Sequence, residues 1–207
     1  MLITSVRFPS EGKFVNGSIR TRGGIIAASG RTLKAMRGEE TFDGRDALLL
    51  PGFIDMHFHG YGGRSVMDGS LDSMRALSSI LPRFGVTTFL PSTYSGTGEA
   101  ISKALSAVKE ASADSSGARI AGVHLEGPYL NPKMAGSQPA HRIRPADPKE
   151  YRAWLATGII RVVTVAPEMP GNERFIKACI KKGIVVSLGH CAGSYEETLR
   201  AIAWGAR

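Results

Sequence analysis

The stretch PGFIDMHFHG, residues 51–60, is an apolar strand that ends in two histidines followed by glycine. Side chains two positions apart on a strand point to the same face, so His57 and His59 share one face. Enzymes built on parallel barrels hold their active sites at the C-terminal ends of the strands. Since neutral imidazole is the commonest metal ligand, the pair predicts a metal site. The alternative is two histidines in a polar loop.

The sequence has different patterns on the two sides of this stretch. Residues 1–50 contain short strand-like runs separated by Gly, Ser and Asn turns, which predicts a small β domain. From residue 51 onward, apolar strands alternate with helix-like segments, as is typical of βα units around a parallel sheet. The predicted strands are 53–57, 87–90, 120–124, 160–165 and 184–188. The predicted helices are 72–84, 98–112, 148–156, 172–182 and 194–204.

The predicted fold class is α/β, with an incomplete TIM-type (β/α)8 barrel over residues 51–207. A small β-sandwich domain precedes it, and residues 1–50 form the N-terminal part of that domain. A βα unit with its loops takes roughly 30 to 40 residues, and a complete eight-fold barrel needs about 250. Only about the first five units therefore fit before Arg207. An open sheet of five strands with helices is the structural alternative.

Two further strand ends carry candidate ligands. In HLEGP, residues 124–128, His124 and Glu126 share a face at the end of the third predicted strand. A buried carboxylate is costly without a partner, so Glu126 is a predicted metal ligand, and a helix cap or salt bridge is its alternative. His124 is interpreted as a core or supporting histidine. VSLGH, residues 186–190, ends the fifth predicted strand and adds His190 to the set.

Five blocks of the sequence resemble the signature motifs of N-acetylglucosamine-6-phosphate deacetylases, in the order and spacing of that family. They are residues 51–60, GVTT at 85–88, HLEGP at 124–128, TVAPE at 164–168 and SLGH at 187–190. The loop NPKMAGSQP, residues 131–139, resembles the loop that contacts the amino sugar in the family. The resemblance covers nearly all of this chain and about the first half of the family's fold.

The resemblance implies a site for one or two divalent ions, held by four residues: His57, His59, Glu126 and His190. Of these, Glu126 and His190 match metal ligands of the family, whereas the histidine pair matches positions that let some members hold a second ion. A nitrogen-rich site with one carboxylate suits zinc or iron. Glu168 and His141 are interpreted as a structural glutamate and a loop histidine.

For the complete enzyme, the resemblance implies deacetylation of N-acetylglucosamine 6-phosphate to glucosamine 6-phosphate and acetate. Ser137 and Gln138 match a pair that contacts the substrate, and a plain surface loop is their alternative. The general base, an aspartate, and one more histidine ligand are expected beyond Arg207. No catalytic residue is therefore expected within this chain, which alone is expected to be inactive. Two alternatives stay open: another amidohydrolase, such as a cyclic amidase or a deaminase, and a non-catalytic half-barrel module.

Composition narrows the expected partners and location. The net charge of +8 comes from dispersed Lys and Arg, so nucleic acid is not an expected partner and a phosphorylated amino sugar is compatible. No apolar run reaches the roughly 18 residues that span a bilayer, so no membrane partner is expected. Two cysteines cannot form a disulfide framework, and no signal peptide is recognisable. These features predict a soluble cytoplasmic protein, and the resemblance adds a homodimer at full length.

Overall fold

The structure is a computed structural model that describes residues 1–113 and 116–207. The chain divides into two compact units, Met1–Pro51 and Gly52–Arg207. The first unit is built from β-strands, and the second alternates strands with helices. Within the described residues, no helix has both the length and the apolar content that crossing a membrane requires.

The first unit contains a sheet of four strands: β1 (Leu2–Ser10), β2 (Lys13–Arg22), β3 (Ile25–Gly30) and β4 (Thr41–Leu48). Their order is β3-β2-β1-β4, with β1 antiparallel to β2 and parallel to β4. Val6, Phe8 and Ile19 form its small buried cluster. The described residues of this unit contain one sheet and not the two that a sandwich requires, so the sandwich stays a prediction.

The second unit begins with the strand that carries the histidine pair. Its strands are β5 (Phe53–Phe58), β6 (Gly60–Tyr61), β7 (Arg64–Ser65), β8 (Val86–Pro91), β9 (Arg119–Ile120), β10 (Val123–Glu126), β11 (Ile160–Val165) and β12 (Val185–Leu188). Its α-helices are α1 (Leu71–Ile80), α2 (Gly98–Ala111), α3 (Pro148–Ala156), α4 (Asn172–Lys181) and α5 (Tyr195–Ala203). Strand and helix thus alternate along the chain from β8 onward, except that β10 directly follows β9.

The parallel strands of this unit form two sheets, ordered β5-β8-β9 and β10-β11-β12. A parallel bridge between Ser92 and His124 joins the end of β8 to β10. The N–H of Thr93 also donates to the carbonyl oxygen of His124 at 3.0 Å. The strands therefore neighbour one another in chain order, and their C-terminal ends lie at the same edge.

The predicted strand 120–124 is wrong as a single strand, because the backbone breaks at Gly122. This glycine has a φ of +144°, and a Cβ atom there would lie 2.7 Å from the carbonyl oxygen of Ile159. Only glycine tolerates both conditions. As a result β9 pairs with β8, whereas β10 pairs with β11. His124 and Glu126 therefore lie inside a separate strand.

The α-helices begin within one residue of their predicted starts, whereas one helix ends earlier than predicted. Four α-helices have a side chain that caps a backbone N–H of the first turn: Ser70, Thr97, Asp147 and Ser194. Such a cap contributes about 1 kcal/mol. The predicted helix 72–84 ends at Ile80, because Pro82 has no N–H for the carbonyl of Ser78. That carbonyl accepts the N–H of Ala118 instead, at 2.9 Å.

The core of the second unit lies between the sheets and the helices. Its most buried members include Met74, Leu77, Phe89, Leu105 and Leu125. Burying a side chain of this size stabilises the fold by roughly 1.5–3 kcal/mol. The core thus fixes the parallel strands whose ends carry the candidate ligands.

Candidate metal centre

Glu126 is the centre of the candidate site. It is the last residue of β10 and is 3% exposed, although its side chain is a carboxylate. Its Oε2 lies 2.8 Å from Nε2 of His57 and 2.9 Å from Nε2 of His59. Its Oε1 lies 2.7 Å from Nε2 of His190. The structure therefore brings together all four residues that the sequence proposes as ligands.

The two histidines of β5 reach Glu126 from a strand that is not its neighbour. His57 lies within β5 and His59 directly follows it, so both rings point to the same side. Their Nε2 atoms are 2.9 Å apart. One ligand atom from each histidine and one from Glu126 lie within 4.8 Å of one another, a spacing that could hold a metal ion. His190 contacts the other oxygen of the same carboxylate.

Backbone carbonyls fix the orientation of two of these rings. Nδ1 of His59 lies 3.1 Å from the carbonyl oxygen of Ser92, and Nδ1 of His190 lies 2.9 Å from that of Met134. Because a carbonyl only accepts, Nδ1 carries the hydrogen in both rings. In neutral imidazole, Nε2 then has a lone pair, and here both lone pairs face Glu126. Carbonyl partners of this kind are common behind metal-binding histidines.

A lone pair that faces a carboxylate is unfavourable unless a proton or a cation lies between them. Glu126, His59 and His190 therefore fit a divalent cation, which would replace those protons. Without a cation, the hydrogen bond to Glu126 raises the pKa of His59. Burial alone would raise the pKa of Glu126, but hydrogen bonds from His59, His57 and His190 outweigh burial and lower it to about 2. The site thus keeps an anion among imidazoles at neutral pH.

His124 lies beside the candidate ligands as a neutral ring. Its Nδ1 contacts Oγ of Ser92 at 3.0 Å, and its Nε2 contacts Oγ1 of Thr164 at 2.8 Å. The centroids of His124 and His57 are 4.8 Å apart. Burial, followed by the nearby charge of His57, lowers the pKa of His124 to about 4. Since hydroxyl groups occupy both ring nitrogens, His124 supports the site rather than offering a ligand atom.

Sequence reasoning missed Ser92, which links three parts of the site. Its Oγ accepts the N–H of Phe58 at 3.0 Å and contacts His124, while its carbonyl oxygen holds Nδ1 of His59. The side chain is completely buried. A usable signal was present, because Ser92 comes directly after the strand end Val86–Pro91, where barrel enzymes place site residues.

The structure places the two proposed substrate residues differently. Gln138 is 7% exposed, and its Oε1 accepts the N–H of Ser95 at 2.7 Å. Ser137 is exposed. Within the described chain, no hydrogen bond joins either residue to the four candidate ligands. The loop itself is held near the site, because the N–H of Asn131 donates to the carbonyl oxygen of His190 at 3.0 Å.

Comparisons with known proteins identify the family of this chain. Residues 48–207 match the model of the amidohydrolase family. The N-acetylglucosamine-6-phosphate deacetylase of Bacillus subtilis (strain 168) is 37% identical over 202 residues, which cover 92% of this chain and 50% of that protein. The N-acetylgalactosamine-6-phosphate deacetylase of Escherichia coli O157:H7 is 34% identical over 166 residues, covering 78% of this chain and 44% of that protein.

A solved structure is similar over the whole chain. It is an aspartate-to-alanine variant of N-acetyl-D-glucosamine-6-phosphate deacetylase from Mycobacterium smegmatis, in complex with N-acetyl-D-glucosamine-6-phosphate. Its TM-score is 0.85 at 27% identity, and the match covers 100% of this chain and 54% of the other. The α/β part of the fold prediction is confirmed, with structural neighbours that are barrel hydrolases. The chain spans about half the length of the curated relatives that it matches.

Proposed function

The chain belongs to the amidohydrolase family, and we propose that its protein is a metal-dependent deacetylase that converts N-acetylglucosamine 6-phosphate to glucosamine 6-phosphate and acetate. The observation that carries the proposal is the buried carboxylate of Glu126, which three imidazole nitrogens contact at 2.7–2.9 Å. The relative from Bacillus subtilis supports the choice of substrate. A phosphorylated sugar also agrees with the net charge of +8.

We propose that the parallel strands β5, β8, β9, β10, β11 and β12, with the helices between them, are about the first five βα units of a (β/α)8 barrel. The order of the strands and the clustering of ligands at one edge support this assignment. The sheet of Met1–Pro51 is proposed to be part of a small β-sandwich domain. A homodimer, which the resemblance implies, and a cytoplasmic location, which the composition predicts, stay predictions.

In this proposal His57, His59, Glu126 and His190 hold one or two divalent ions. Three imidazole nitrogens and a carboxylate suit zinc or iron. In such a site, a divalent metal supplies Lewis acidity, which makes water acidic enough to lose a proton near pH 7 and polarises an amide carbonyl. The residues of this chain supply the negative charge and the fixed lone pairs that keep the ion in place.

The contacts of each site residue determine which role it can have. Both oxygens of Glu126 contact imidazoles, so Glu126 is occupied as a ligand and is not proposed as the general base. The carbonyl partners of His59 and His190 keep their Nε2 atoms directed at the site. His124 stays neutral because burial lowers its pKa to about 4, so it adds no charge that would repel a cation. Proton transfer is assigned to none of these residues.

Ser137 and Gln138 are proposed to contact the sugar. Because Oε1 of Gln138 accepts the Ser95 N–H, the NH2 group of its amide is left to donate to a sugar oxygen. Ser137 is exposed, so its hydroxyl is accessible to molecules in solution. A second substrate candidate is N-acetylgalactosamine 6-phosphate, which differs in the configuration of one hydroxyl group. The 34% identical Escherichia coli relative favours it.

An acetate-release assay on the purified full-length protein tests the proposal. We expect turnover of N-acetylglucosamine 6-phosphate, loss of activity after treatment with a chelator, and recovery when a divalent metal is added back. The galactosamine analogue and unphosphorylated N-acetylglucosamine serve as matched substrates. Faster turnover of the galactosamine analogue would favour the second candidate. No acetate from either phosphorylated sugar with metal present would contradict both candidates.

A further inference from the structure

Glu168 lies just after β11, between two segments that shape the metal centre. Its Oε1 accepts the backbone N–H of Ala192 at 2.7 Å and the Nδ2–H of Asn131 at 2.8 Å. Ala192 follows His190 by two residues, and Asn131 opens the loop that leads to Gln138. A single carboxylate oxygen therefore ties the turn of a proposed ligand to the proposed substrate loop.

The turn that carries His190 needs such support. His190 has a φ of +50°, a left-handed conformation that residues other than glycine rarely adopt. Conformations of this kind persist only where surrounding contacts hold them. The carbonyl of His190 accepts the Asn131 N–H at 3.0 Å, and its Nδ1 faces the carbonyl of Met134 at 2.9 Å. The bond from Ala192 to Glu168 holds the other side of the turn.

Asn131 connects these contacts to one another. Its Oδ1 accepts the N–H of Lys133 at 2.9 Å, which fixes its amide so that Nδ2 points to Glu168. Its own N–H holds the carbonyl of His190. Asn131 is buried, with 8% of its surface exposed. A shift of Glu168 would therefore reach His190 by two routes, through Ala192 and through Asn131.

We propose that Glu168 is a positioning residue, which fixes the His190 turn against the 131–138 loop so that Nε2 of His190 stays directed at Glu126. The inference rests on the proposed function in one respect, namely that His190 binds a metal ion. Glu168 itself touches none of the four ligand side chains through a hydrogen bond within the described residues. Its effect on the metal is exerted through the backbone of the turn.

The contacts of Glu168 separate its acceptor role from its charge. Oε1 makes both hydrogen bonds, whereas the buried Oε2 accepts none from the described residues. Glu168→Gln can therefore keep both bonds, because its amide oxygen can replace Oε1 and its amide nitrogen can replace Oε2, which accepts no hydrogen bond from the described residues. Glu168→Ala removes both bonds. Glu168→Asp keeps the charge but withdraws the oxygen by one methylene.

The test uses the full-length protein loaded with Co²⁺ alone, whose affinity is measured by competition with a chelator. The visible absorption bands of the bound ion report the ligand geometry. For Glu168→Ala we expect an affinity roughly 10–100-fold weaker, as is usual when a residue that orients a ligand is lost, together with shifted bands. Glu168→Gln should restore both properties. Glu173→Ala, which removes an exposed carboxylate paired with Lys177, is the matched control.

Wild-type affinity and bands in Glu168→Ala would overturn the inference, even if its melting temperature fell, because the residue would then be merely structural. Equal damage in the glutamine variant would also overturn it. If the alanine variant does not fold, Glu168→Asp carries the test, and an unchanged spectrum there counts against the inference. Failure of the wild type to bind Co²⁺ would instead remove the proposed function, and the inference with it.

Discussion

β5 and β10 carry the same pattern in opposite surroundings. Two polar side chains lie two positions apart in each case: His57 in β5 with His59 directly after it, and His124 with Glu126 in β10. All four residues of β10 are buried, because β11 pairs with it on one side and the end of β8 on the other. On β5, by contrast, Ile54 is 67% exposed.

The difference shows that spacing fixes the direction of a side chain, whereas its neighbours fix its charge. On β10, burial keeps His124 neutral, and the surrounding imidazoles hold the pKa of Glu126 at about 2. On the more exposed strand, the bond to Glu126 raises the pKa of His59. The buried strand thus supplies an anion at neutral pH, and that anion favours the protonated form of His59 at the end of the more exposed strand.

Glu126→Gln should have the largest effect, because it removes the negative charge that the imidazoles face. We expect metal affinity to fall by more than the roughly 10–100-fold that is typical of losing a residue behind the ligands. Isothermal titration calorimetry with Zn²⁺ measures this, with Glu173→Gln as the control at an exposed carboxylate. Unchanged affinity would mean that Glu126 is a structural carboxylate.

Leu125→Ala and Ile54→Ala test the contrast in burial directly. Leu125 is 1% exposed and Ile54 is 67% exposed. We expect the free energy of unfolding to fall by about 2–5 kcal/mol for Leu125→Ala and by less than about 0.5 kcal/mol for Ile54→Ala. Urea denaturation followed by circular dichroism gives both values. Equal losses would show that β5 packs against further protein in solution.

The stability of the protein should depend on pH in a way that reports the buried His124. Burial lowers the pKa of His124 from 6.5 to about 4, so between these values the unfolded chain binds a proton that the folded chain does not. The stability that depends on the neutral form of His124 is fully present above pH 6.5 and is lost as the pH falls toward 4. Over this range the free energy of unfolding changes by at most about 1.4 kcal/mol per pH unit. Urea denaturation of the metal-free protein measures it. His124→Gln should flatten this limb, and an unaltered slope would refute the assignment.

Much of the site was predictable because two short-range rules act together. A strand has a period of two, and parallel strands of βα units end at one edge. These rules bring His57, His59 and Glu126 to one edge, and His190 follows the end of β12 at the same edge in a turn that long-range contacts hold. The structure has all four in contact. The break at Gly122 was not predictable, because it depends on how closely the carbonyl of Ile159 approaches.

Long-range contacts explain what sequence reasoning missed. Ser92 and Glu168 act through partners that are far away in the chain, and although Ser92 directly follows a strand end, that position does not identify its partners. Ser92 contacts His124 across 32 positions, and Glu168 holds Asn131 across 37. The sequence suggested a structural role for Glu168. Only its contacts beside the His190 turn indicate that this role is to hold the turn in place.

By itself, the sequence determined which residue types the site contains. It also determined the alternation of strands and helices and the helix caps, because these depend on residues within a few positions of one another. Only the tertiary structure decided which oxygen of Glu126 meets which imidazole, which ring nitrogen carries the hydrogen, and that His124 is neutral while Glu126 is charged. The physical reason is that pKa values and hydrogen-bond geometry depend on burial and on partners brought together from distant segments.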